Sequence, residues 1–546
     1  MAEPKAGTRK RRKRWRWIVS ILILLAAAAV FLHWPVPAKL TISRETTFIT
    51  GPLNPDGTPN YVAALDALAA EGVTKDNNAA IPLLQALGPA MLPETTRQEI
   101  LRRLGSPPLP GPDDCFITLE AWNAEHPEWP VGDELDLAAE GPWASKDMPG
   151  LAKWLDANAK ALDLLVAATD RPRYYVPLVS ESDPPRVLDV VMPPMGLLQC
   201  ASRALTARAM RRLHEGQIQG AWSDILAAHR LGRLLSQRPI LLDKVVGVGF
   251  EQRAARAATR LAGSGRLTAP QAERMLADLA ALPVAGDIAD GFGRSERFVM
   301  LDSFVAMSQG MPIDQMQQRS ARPAPSGRWP RMDFDEMMRV ANRGFDRVVA
   351  AHREDTFAKR EHAFDQLQEE LDALCRKTRT RGRILLLKLA GWPCRKRLSR
   401  ELANVLVSLL VPSLSRVSLL QDACRTHVNL ENIALAIAAY RAEKGRWPAQ
   451  LKDLSPAYLK EVPPDRFTGK PLIYKLQPKG YVLYSVGPNM VDDEGRGWNG
   501  ETVGDDIAVS VPPPVRTSSA KPPTRPATPF RVPPPAPNWP APPGDP

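Results

Sequence analysis

Apolar positions recur at helical spacing over most of the chain and switch to strand-like alternation only near its end. Ala63, Ala64, Leu65, Leu68 and Ala69 form one stripe, ended at Glu71-Gly72; Ile81, Leu83, Leu84 and Leu87 form another, closed by Gly88-Pro89. Trp154 to Ala168 repeats the pattern, and the strongest helical hairpin spans Leu197 to Gln237. Its outgoing face is Ala201, Ala204, Leu205, Ala209 and Leu213, its turn is Glu215-Gly216, and its returning face is Ala221, Ile225, Ala228, Leu231 and Leu235. Thr268-Ala269-Pro270 starts a further helix with an N-cap and an early proline. Phe334 to about Cys375 reads as a long, charged helix, whereas residues 105–150, rich in Pro, Gly and Trp, read as irregular.

The last third differs. Leu430, Ile433, Ala434, Ile437 and Tyr440 give a helical stripe stopped by Gly445, and Leu451 and Leu454 a short helix. Leu472-Ile473-Tyr474 and Tyr481 to Ser485 read as paired strands across Pro478-Lys479-Gly480. An acidic, glycine-rich loop follows. The predicted fold class is mostly α, with a helical outer domain and a C-terminal α+β module made of a long helix and a small antiparallel sheet.

At 546 residues the chain exceeds what one core usually supports. The formal charge of +11 is unevenly spread: eight basic residues precede Trp17, and a second basic run covers Arg376 to Arg400. The first run abuts Trp17 to Trp34, an apolar stretch without formal charge that is just long enough to cross a bilayer. Basic flanks stay in the cytoplasm, so everything after Trp34 is expected outside, and the membrane explains the charge better than nucleic acid does. The expected organisation is a basic cytoplasmic segment (1–16), a transmembrane anchor of the cell inner membrane (17–34), a linker (35–60), a helical domain (61–400), an α+β module (401–510) and a Pro-rich tail (511–546). That tail holds fifteen prolines in thirty-six residues and cannot bury a core. A second span over Leu402 to Leu420 is interrupted by Arg416, so a helix buried in protein or lying on the membrane surface is expected there.

Catalytic motifs are absent. The five cysteines, Cys115, Cys200, Cys375, Cys394 and Cys424, form no CxxC pair, and none of the seven histidines lies in an HExxH. His214 and His229 sit on the two arms of the hairpin, with Asp224 nearby in sequence; a pocket joining either histidine to two carboxylates would mark an envelope hydrolase. Gly247-Val248-Gly249 begins like a dinucleotide loop, but Gln252 stands where the third glycine belongs. The acidic loop is the one chemical proposal. Asn489, Asp492, Asp493, Asp505 and Asp506 offer hard oxygens, and its glycines let backbone carbonyls turn inward, as a Ca²⁺ site requires.

The order of Tyr440-Arg441-Ala442-Glu443-Lys444-Gly445-Arg446-Trp447-Pro448, the Pro464-Asp465-Arg466-Phe467-Thr468-Gly469-Lys470-Pro471 turn, Tyr484-Ser485-Val486-Gly487-Pro488-Asn489 and Asp505-Asp506-Ile507 resembles the major pseudopilin of type II secretion. The resemblance covers about residues 405–510 and implies Ca²⁺ in the last loop. It places side-chain ligands at Asp492, Asp493 and Asp505, with Asp506 beside them, and puts Asn489 where the family has a carboxylate. The cleavable leader and helix start of pseudopilins are missing. The general layout, with Asn60-Tyr61-Val62-Ala63-Ala64 and Asn77-Asn78-Ala79-Ala80, is similar to membrane-anchored proteins of planctomycete-type bacteria, a likeness that implies no activity. The expected function is a single-pass envelope protein that binds or scaffolds other envelope proteins, in a secretion-related setting; the alternative is a hydrolase with its active site in the helical domain.

Overall fold

Helix formation dominates because the apolar stripes have partners to bury against. The computed structural model describes residues 40–111, 114–190, 195–311, 332–378, 395–497 and 504–512. The basic segment 1–16, the apolar segment 17–34, most of the basic run 376–400 and all but the start of the Pro-rich tail lie outside the described residues. The helices that carry the argument are α1 (Tyr61–Ala70), α2 (Ala80–Leu87), α3 (Ala159–Ala168), α4 (Met195–His214), α5 (Ile218–Ser236), α6 (Leu241–Gly263), α7 (Ala269–Ala280), α8 (Arg297–Ser308), α9 (Phe334–His352), α10 (Phe357–Thr378) and α11 (Arg395–Lys444). Three strands follow: β1 (Ile473–Gln477), β2 (Gly480–Ser485) and β3 (Ile507–Val511).

The predicted hairpin is α4 and α5, and all ten of its stripe residues are buried. Gly247, which begins the dinucleotide-like triplet, lies inside α6, where its carbonyl crosses against Gly232 of α5. A Cβ on Gly232 would stand 2.7 Å from the Gly247 oxygen, so the pair lets two helices approach at backbone distance. Residues 105–150 are less irregular than their composition suggests: Leu119–Glu125 and Glu134–Ala138 are short helices, the first capped by Thr118. Residues 40–60, expected as a linker, are ordered against α9. Thr41 N donates to Asp335, and Asn342 Nδ2 donates to the carbonyls of Glu45 and Thr46.

Helix α11 is fifty residues long and joins the three apolar clusters. Ala403, Val407, Val411 and Leu414 pack into a cluster with α8, α9 and α10. Ala434, Leu435, Ala438 and Ala439 complete the core of α2 to α7. Leu430, Ile433, Ala436 and Ile437 face Tyr481, Leu483, Val509 and Val511 of the sheet. The boundary expected between residues 400 and 401 therefore falls inside one continuous helix. Among the described residues α11 is the one helix long and apolar enough to cross a membrane, by length and composition only; 33% of its most apolar window is buried, and it packs on α6, α7, α9 and α10.

The sheet order is β1-β2-β3, antiparallel throughout. Tyr474 pairs with Leu483 and Leu483 with Val509, so β2 is central and buried. The β1–β2 hairpin matches the predicted strands. Strand β3 was not anticipated, although Ile507, Val509 and Val511 alternate with Ala508 and Ser510, and Val511 had been assigned to the tail.

Candidate metal centre

The loop joining β2 to β3 begins where Ser485 leaves the sheet. Gly487 has φ +68°, and a Cβ there would stand 2.2 Å from the Asp505 carbonyl oxygen. Glycine alone suits both the left-handed backbone and the close approach. This turn brings residues 489–497 back over the start of β3.

Asp493, Asp505 and Asp506 converge, with one carboxylate oxygen from each lying within 4.8 Å of the others. Asp506 is 4% exposed, and its Oδ2 accepts from Gly495 N at 2.7 Å and Asp493 N at 3.1 Å. Asp505 Oδ2 accepts from Asn489 N at 2.9 Å. The second oxygens, Oδ1 of Asp505 and of Asp506, are buried without a hydrogen-bond partner among the described residues. Among the described residues, no ion pair neutralises any of the three. Burial pushes the carboxyls of Asp505 and Asp506 up, and the neighbouring Asp493 adds repulsion.

The other two expected ligands are turned to different tasks. Asp492 Oδ1 accepts from Glu494 N at 2.8 Å and Tyr484 OH at 2.9 Å, bonds that hold its carboxyl below the ordinary range. Asn489 Oδ1 accepts from Val491 N, while its Nδ2 donates to Asp493 Oδ2 at 3.2 Å. Asn489 thus braces the cluster through its nitrogen.

The donor set fits a hard divalent cation. Three carboxylates supply charge, and two buried oxygens have no other partner among the described residues. Asp493, Asp505 and Asp506 would hold Ca²⁺, which would supply the missing positive charge and cross-link the loop to β3.

Elsewhere, sequence reasoning singled out His229 but missed its partner. His214 is exposed at the end of α4, while His229 is 1% exposed with Nε2 3.0 Å from Glu431 Oε1 of α11. Glu251 of α6 is the second carboxylate; burial pushes it up, with Arg233 and His229 opposing and Glu431 reinforcing the shift. Among the described residues His229 Nδ1 and Glu431 Oε2 have no partner, and His229 lines a cavity of about 270 Å³ with Arg233, Leu276, Asn432, Tyr458 and Lys460. The available signal was Glu431 itself, a lone acid inside the apolar stripe from Leu430 to Tyr440. Asp224 serves neither histidine but takes a bidentate pair from Arg208 and a third bond from Arg212. Cys424 is buried, its thiol pushed up by burial, and Cys115, Cys200 and Cys375 are half-buried, with no disulfide among them.

No family model, curated protein or solved structure matches the chain.

Proposed function

We propose that this protein is a single-pass envelope protein whose pseudopilin-like α+β module is stabilised by Ca²⁺ and serves binding or scaffolding rather than catalysis. The observation that carries the reading is the convergence of Asp493, Asp505 and Asp506 with two buried, unpartnered oxygens. The apolar segment 17–34 anchors the chain in the inner membrane, leaving the remainder outside, where Ca²⁺ is plentiful. The order of helix, turn, hairpin and acidic loop supports the pseudopilin likeness, and a place among secretion-related envelope proteins follows from it. The fusion of this module to a helical body through α11 argues against polymerisation into a pseudopilus.

Limited proteolysis of the full chain tests the reading. Ca²⁺ should suppress cleavage between residues 487 and 505, and Mg²⁺ at the same concentration should not, because Mg²⁺ demands a tighter octahedral cage. Equal cleavage with and without Ca²⁺ would sink it.

A second reading, an envelope hydrolase, is supported by His229 beside two carboxylates at a cavity wall. A carboxylate holding one imidazole nitrogen leaves the other free to take a proton from water or a hydroxyl. Hydrolysis of activated esters that disappears in His229→Gln and Glu431→Gln would favour it; no turnover by the folded wild type would remove it.

A further inference from the structure

A second cavity, of about 250 Å³, lies between the segment entering the fold and helices α8 and α9. Its lining carries four guanidinium groups, from Arg44, Arg297, Arg339 and Arg343, against two carboxylates, Glu45 and Asp346. The excess is two positive charges in a concave site, where low-dielectric walls strengthen a field.

Arg297 is the centre of this arrangement. It is 3% exposed, stacked on Phe48 with its Cζ 4.1 Å from the ring centroid, and its Nη2 donates to Asp346 at 2.6 Å. Its Nε and Nη1 are buried and have no partner among the described residues. A buried guanidinium with idle donors is costly unless an acceptor arrives. The surrounding arginines do not neutralise one another's demand. Arg339 reaches Glu45 and Glu336 only at 3.9 and 4.0 Å, and Arg44 and Arg343 are exposed.

The site is built, not incidental. Phe48 adopts φ +64°, a left-handed conformation that a bulky residue takes only when its surroundings impose it. The restraints are visible: Phe48 N donates to the Ser43 carbonyl, Tyr61 OH donates to the Thr47 carbonyl at 2.9 Å, and Asn342 holds the carbonyls of Glu45 and Thr46. They fix Phe48 under Arg297 and Arg44 at the rim, while Arg339 and Arg343 stand one turn apart on α9.

We propose that this arginine pocket binds a phosphate group. Planar guanidinium donors match the tetrahedral oxyanion, and clustered arginines are how proteins commonly recognise it. Two sources share that chemistry, a phospholipid headgroup and a soluble phosphate. The headgroup source alone rests on the anchor reading. Arg44 follows the expected end of the anchor at Trp34 by ten residues, which span at most about 35 Å when extended.

The test uses the full chain in a detergent without phosphate. Inorganic phosphate and water-soluble dihexanoyl phosphatidylglycerol are titrated separately by calorimetry. Saturable binding of either is expected, weakened roughly tenfold per arginine removed in Arg297→Met and in Arg339→Gln/Arg343→Gln. The second variant changes rim positions only and keeps the test valid should the first fail to fold. Binding of phosphate alone assigns a soluble ligand, binding of the phospholipid alone assigns a headgroup, and binding of both assigns the phosphate group in either form. No binding of either probe by the folded wild type, or affinity unchanged in Arg339→Gln/Arg343→Gln, overturns the proposal.

Discussion

Two buried aspartates in the same half of the chain meet opposite fates. Asp422 of α11 is 3% exposed and accepts from Arg360 at 2.9 Å on one oxygen and from Arg466 at 3.1 Å on the other. Asp506 is as deeply buried and, among the described residues, receives only backbone N–H groups on one oxygen and nothing on the other. Removing a carboxylate from water costs several kcal/mol, on the order that a fixed counter-charge returns. At Asp422 the chain supplies that charge itself. The pair is structural: it ties α10 and the Arg466 turn to α11, and Phe357 meets Phe467 edge-on beside it. At Asp506 the chain supplies more negative charge instead, from Asp493 and Asp505. The contrast separates a buried carboxylate whose counter-charge the fold supplies from one that has no counter-charge among the described residues.

The largest test of this contrast is Asp422→Ala. It takes the carboxylate from the buried Arg360 and the half-buried Arg466 and should lower stability by about 3 kcal/mol whether or not Ca²⁺ is present, read by denaturant unfolding. Gly487→Ala should cost roughly 1–3 kcal/mol from strain at positive φ and, by pushing Asp505 away, also lose the response to Ca²⁺. Asp302 offers a comparison within the unpaired class. Among the described residues it forms no ion pair; it accepts from Val187 N at 2.8 Å, and burial raises its carboxyl to about 7. A raised carboxylate binds its proton more tightly in the folded state, so its contribution is full below the unfolded value and fades as pH rises through about 7. Asp302→Asn should therefore flatten a fall of up to about 1.4 kcal/mol per pH unit near neutrality, seen in melting temperatures between pH 5 and 8. The smallest effect is expected from Asp506→Asn without metal. Burial and the neighbouring acids raise Asp505 and Asp506 as well, so the metal-free loop gains stability as pH falls towards the unfolded carboxyl value near 4. The amide should mimic that gain at pH 7, by about 1 kcal/mol or less, while abolishing stabilisation by Ca²⁺.

Much of the helical body was legible because amphipathic periodicity is local information. The α4–α5 hairpin, the Thr268 start of α7, braced by Gln271, and the β1–β2 pairing all follow from it. Strand β3 escaped because five alternating residues beside an acidic loop and a proline run carry little pattern of their own. The continuity of α11 was also hidden: its apolar residues face three different clusters in succession, so no single stripe runs its length. At the acidic loop, composition names five candidate ligands but cannot rank them, and the fold brings three of them, Asp493, Asp505 and Asp506, together. Tyr484 and Glu494 N occupy Asp492, and only the turn at Gly487 reveals that Asp505 and Asp506 keep an oxygen idle. Glu431 and Arg297 were invisible as functional candidates, because their significance lies in what the fold leaves unpaired around them.

The most direct measurement is calorimetric titration of Ca²⁺ into the full chain beside Asp505→Asn/Asp506→Asn. The full chain is required because the first half of α11 is buried among α8, α9 and α10. The account predicts saturable, one-to-one binding by the wild type, a melting temperature that rises with Ca²⁺, and loss of both in the variant. A folded wild type that takes up no Ca²⁺, or a variant that binds it as tightly, would contradict the claim that the unpaired carboxylates form a metal site.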